Sequence, residues 1–118
     1  MSYPKVHIVN STAYSVSGTV HYASIFCSND NYGMGAGKDW TANGRGVCLV
    51  TKISADVSTP GGTVSASAYT SSGTSYSEFA VIQTSDNPLA FEVTRRVSMA
   101  NEDTPPEDYE EPTTQQKD

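Results

Sequence analysis

Residues 47–57 alternate for eleven positions: Val47, Leu49, Thr51, Ile53, Ala55 and Val57 share one side, and Cys48, Lys52, Ser54 and Asp56 the other. A period of two held that long is the pattern of a half-buried strand, and a helix has no face that would collect it. The centre of this chain therefore demands a sheet. Ser58-Thr59-Pro60-Gly61-Gly62 follows. Pro sets φ at the second position of a type II turn and Gly supplies positive φ at the third, so the chain should reverse there. Residues 63–70 alternate again, with Val64, Ala66 and Ala68 on one face and Thr63, Ser65 and Ser67 on the other. The two segments read as an antiparallel hairpin.

Further strands are expected at residues 6–9, 16–27 and 76–84, and in a last one carrying Leu89, Phe91 and Val93. Ser85-Asp86-Asn87-Pro88 supplies the turn before that last strand. Gly18 inside a strand pattern marks a bulge or a close approach of backbone. Between Cys27 and Gly46 five glycines punctuate a short strand or two. Thr and Ser abound, Leu occurs only twice, and no window has a helical period. The expected fold is all-β: a single antiparallel β-sandwich of seven to eight short strands. Cys27, Trp40 and Cys48 invite comparison with an immunoglobulin domain, but Cys48 follows Trp40 too closely for that fold's second cysteine strand.

Charge divides the chain in two. Residues 1–99 hold six basic and six acidic side chains, whereas residues 100–118 hold seven acids and one Lys, so the formal −6 belongs to the end. The expected organisation is a β domain over 1–99 and an acidic, Pro-containing disordered tail over 100–118, which lacks the apolar surface to offset its own ordering. The tail offers either a docking peptide for a basic partner, anchored on Tyr109, or a solubilising string that keeps β edges apart. A surface without a basic stripe argues against nucleic acid as a partner. No apolar run reaches the eighteen or so residues of a membrane span, and residues 1–10 contain no apolar leader core. The expected localisation is cytoplasmic, with secretion by another route left open. Cys27 and Cys48 can form a disulfide in an oxidising setting or stand as two reduced thiols.

The loop 28–45 concentrates side chains used in recognition. Trp40 and Tyr32 offer stacking faces, Asp30, Asn31 and Asn43 partners for hydroxyls, and Arg45 a charged donor. The competing reading is a glycine-rich hairpin with Trp40 at the edge of the core. Gly33-Met34-Gly35-Ala36-Gly37-Lys38-Asp39 fails the phosphate-loop pattern, because Tyr32 and Asp39 stand where Gly and Ser or Thr are required. No nucleophile sits in a recognisable setting, His7 and His21 fall on different strands, and no carboxylate cluster suggests a metal. Neither a cofactor, a metal nor a catalytic residue is assigned. Asn10-Ser11-Thr12 matches the N-glycosylation acceptor pattern. The leading expectation is a non-enzymatic binding module for a glycan or another surface ligand through loop 28–45. The alternative is a self-assembling β protein, a homo-oligomer whose tail controls association.

Overall fold

The computed structural model describes residues 4–43 and 47–96. The 100–118 tail and Arg45 lie outside the described residues. Among the described residues ten strands follow one another without a helix: β1 (His7–Asn10), β2 (Ser15–Tyr22), β3 (Asp30–Met34), β4 (Asp39–Thr41), β5 (Val50–Ile53), β6 (Asp56–Thr59), β7 (Gly62–Ser65), β8 (Tyr69–Thr74), β9 (Glu78–Asp86) and β10 (Leu89–Arg95). They form two sheets. The four-stranded one runs β10-β9-β1-β4, and the six-stranded one β7-β6-β2-β5-β8, with β3 on the other side of β2. All ladders between named strands are antiparallel except β1–β9, which is parallel. The expected purely antiparallel sandwich is corrected on that point, and its seven to eight strands become ten.

The core lies between the sheets. Val6, Ile8, Phe79, Val81, Phe91 and Val93 come from the smaller sheet and the residue leading into it. Val16, Val20, Val50, Ile53 and Val57 come from the larger. Tyr69 crosses to Phe79 with ring centroids 4.9 Å apart. Leu is almost absent, so β-branched side chains fill the interior, as a pleated surface favours.

The long alternating segment is two strands instead of one. β5 and β6 both pair with β2, and the ladder breaks at Ser54-Ala55. Gly18 explains the break. A Cβ there would stand 2.0 Å from the Ser54 carbonyl oxygen, so the backbones touch only because the position is glycine. Register shifts at β2–β5 and β5–β8 then move Val50 into the core and leave Val47 outside, against the simple alternation. The β6–β7 hairpin forms as expected, with Thr59 paired to Gly62. Its positive φ falls on Gly62 (125°) and not on Gly61, so the expected type II turn is replaced by one that places the left-handed residue a step later.

β2 ends at Tyr22 instead of running on to Cys27. The chain turns at Ser24–Cys27: the Cys27 N–H donates to the Ser24 carbonyl at 3.0 Å and the Phe26 N–H to Ser24 Oγ at 3.0 Å. The Asn10 side chain is fully buried, its amide donating to the carbonyls of Tyr14 (2.7 Å) and Gly35 (3.0 Å). In the folded chain it cannot serve as a glycosylation acceptor.

Candidate functional site

Where β2 ends and β3 begins, the chain encloses a cavity of about 220 Å³. Tyr22 and Asp30 face each other across the β2–β3 connection, and the Tyr22 hydroxyl donates to Asp30 Oδ2 at 2.6 Å. Phe26 and Ser28 border the cavity from the turn, and Asn43 from the segment after β4. The Cys27–Cys48 disulfide completes the wall, joining the β2–β3 connection to the lead into β5. Of the two redox states left open by the sequence, the structure contains the bonded one. The bond ties segments 21 residues apart. It adds a covalent tie to two loops that spring from the neighbouring strands β2 and β5, already paired at Tyr22 and Val50.

This turn is unusual in its occupants. Ile25 and Phe26 sit at its two central positions, where Gly, Pro, Asn or Asp are the usual residues. Ile25 is 93% and Phe26 90% exposed, and across the disulfide Val47 is 67% exposed. The Phe26 ring is thus both a lip of the cavity and part of an apolar tip.

The residues expected to form the site divide. Asp30 and Asn43 line the cavity. Asn31 does not; it lies on the exposed side of β3 and accepts a hydrogen bond from the Thr19 hydroxyl at 3.0 Å. Tyr32 is withdrawn as a stacking platform, being only 5% exposed. Its hydroxyl donates to the Ser54 carbonyl at 2.6 Å, capping the group that Gly18 approaches. Burial, and then the charge of Asp56, raise its pKa above the ordinary phenol value. Trp40 is half-buried on β4, 5.4 Å from the Tyr32 ring at a tilt of 34°. The core-edge reading of Trp40 is the one its position fits. Tyr22 and Phe26 fall outside the expected loop 28–45, and Ser28 lies within it without an assigned role. The available signal was the adjacent Ile25-Phe26 pair, whose side chains a continued strand would have to send to opposite faces.

A second polar cluster lies on the smaller sheet. His7 of β1 stands between two carboxylates, Nδ1 2.8 Å from Glu78 Oε1 and Nε2 2.7 Å from Asp39 Oδ2. Ionised carboxylates only accept, so this arrangement favours the doubly protonated ring, which can donate from both nitrogens. Burial acts to lower the His7 pKa, but the hydrogen bonds and charges of Asp39 and Glu78 outweigh it and leave it raised. Arg96 also donates to Glu78 Oε1, at 2.8 Å. The cluster joins β1, β4 and β9 as a structural clasp, and the carboxylates occupy opposite ring edges instead of converging on an ion. Among the described residues, no group of three or more His, Cys, Asp or Glu side chains could hold a metal, and no helix is long and apolar enough to cross a membrane.

No family model, no curated protein and no solved structure matches this chain.

Proposed function

We propose that this chain is a non-enzymatic binding module whose disulfide-bordered cavity takes a single sugar unit of a glycan. One observation carries this reading: a carboxylate (Asp30), an amide (Asn43) and a hydroxyl (Ser28) converge beside the exposed ring of Phe26. A sugar ring needs hydrogen-bond partners for its hydroxyls and an aromatic face for its C–H side, and this lining supplies both. The cavity falls below the roughly 300 Å³ at which drug-sized pockets begin, which suits one ring and not a chain. Its lining holds one carboxylate, whereas glycoside hydrolysis generally uses two, so binding fits it better than cleavage.

The disulfide fits an oxidising compartment, and this favours export by some route over the cytosolic expectation. The self-assembly reading has less support. At the outer edge of β10, Ser67 donates to Phe91 and accepts from Val93, while β4 at the opposite edge has only three residues. Both edges of the smaller sheet are thereby blunted against pairing with another copy.

The test is a glycan array followed by NMR titration with the best-binding monosaccharide. Asp30→Asn combined with Asn43→Ala should weaken binding at least tenfold, about 1.4 kcal/mol. Folded Trp40→Ala protein should bind as the wild type does. Undiminished binding by the double variant, or preference for a choline-type cation over every sugar, would overturn the assignment.

A further inference from the structure

We infer that the tip formed by Ile25, Phe26 and Val47 docks the protein on the interfacial region of an electrically neutral lipid bilayer. The inference stands apart from the sugar reading, since Ile25 and Val47 do not line the cavity.

The first ground is the local structure. Ile25 and Phe26 occupy the centre of a turn in which the Phe26 and Cys27 N–H groups donate to Ser24. Turn geometry would be served equally by polar residues, yet the two most exposed large apolar side chains of the described residues stand here. Val47 precedes Cys48 in the chain, and Cys48 is bonded to Cys27, the neighbour of Phe26. Three exposed apolar side chains thus stand on two cross-linked loops.

The second ground is what the tip can and cannot satisfy. A patch of three side chains covers a few hundred Å² at most, well short of the roughly 800 Å² per partner that a stable protein interface buries. A second copy or a folded protein is thus poorly matched. A bilayer interface has no such minimum area, because each inserted side chain leaves water independently.

The third ground is charge. Among the described residues 22–30, 43 and 47–51 the sole charged group is Asp30, whose carboxylate accepts the Tyr22 hydrogen bond beside the cavity; Arg45, two positions before Val47, lies outside the described residues. The described ones include no Lys or Arg to attract anionic headgroups, and the whole chain carries −6. The surface that fits is zwitterionic. Ser24, Ser28, Asn29 and Asn43 surround the tip with uncharged polar groups suited to headgroup depth.

The test is flotation of the full chain, disulfide intact, with phosphatidylcholine vesicles free of glycolipid. Wild type should float with the vesicles, with little dependence on salt and no gain from added phosphatidylserine. Ile25→Asp combined with Val47→Asp should lower the bound fraction at least tenfold while keeping the circular dichroism and disulfide of the wild type. Sugar binding by that variant should be unchanged, which separates failure of the tip from failure of the cavity. Absence of wild-type flotation, equal flotation by the variant, or a requirement for anionic lipid would overturn the proposal. So would a wild-type dimer that the variant abolishes.

Discussion

Two places on and just beyond β2 show opposite treatments of space. At Gly18 the backbone of β2 lies so close to Ser54 that a single added carbon would stand 2.0 Å from a carbonyl oxygen and 2.7 Å from the Tyr32 hydroxyl oxygen. Past the end of β2, Ile25 and Phe26 are left almost wholly in water. A chain able to close one junction to that tolerance has not left the other bare for want of packing ability. The junction is closed by backbone contact, whereas the tip has almost no contact with the rest of the fold. One conserves contact; the other withholds it.

The comparison breaks most readily at the junction. Gly18→Ala should destabilise the protein by about 3 kcal/mol or more, since backbone and not a pliable side chain must yield. Chemical denaturation reads this directly, and a loss under about 0.5 kcal/mol would show the junction to be slack. Reducing Cys27–Cys48, or replacing both residues by Ser, should cost about 2–3 kcal/mol through the freed unfolded chain. Because the same bond links the loop of Val47 to that of Ile25 and Phe26, vesicle flotation should fall with it, whereas the β2–β6 ladder should keep its amide-exchange protection. Tyr32→Phe sharpens the contrast. It should cost about 1–2 kcal/mol by leaving the Ser54 carbonyl without its partner, and leave ligand and lipid binding untouched.

The smallest effect concerns the His7 clasp, at neither place. His7 has a raised folded pKa, so its contribution is complete below its unfolded value of about 6.5 and is lost as pH rises through the folded one. Asp39 has a lowered pKa, chiefly from the His7 hydrogen bond, so its contribution is present above its ordinary value of 3.8 and is lost as pH falls through the folded one. The clasp is therefore strongest in mildly acidic solution. Exposure and salt screening keep its effect on stability slight. NMR titration of the His7 ring should give a pKa above 6.5; a value below it would show that burial has won.

Much of the sheet was legible in residue order. The side assignments at 63–68 hold, with Val64, Ala66 and Ala68 half-buried and Thr63, Ser65 and Ser67 exposed, but the expected strand 63–70 divides into β7 and β8, and the β9–β10 register shifts between Ala90 and Phe91. Gly18 announced a close approach, and Ser54 supplies it. Part of the cavity was visible too: Asp30 and Asn43 belong to it, while Tyr32 is buried and Trp40 sits half-buried against the core. Aromatic residues in a glycine-rich stretch look alike whether they face a ligand or a core. What separates them is which neighbour arrives, and for Tyr32 that neighbour is Ser54, far along the chain.

Residue order by itself determined an all-β body, the β6–β7 reversal and the confinement of excess negative charge to the last nineteen positions. Those follow from period, turn chemistry and counting, which are local properties. That β1 runs parallel to β9, that a continuous alternation splits at Ser54, and that Cys27 and Cys48 link the loops of Phe26 and Val47 emerged only in the folded chain. Each depends on distant segments competing for one volume, and no local pattern records the outcome of that competition.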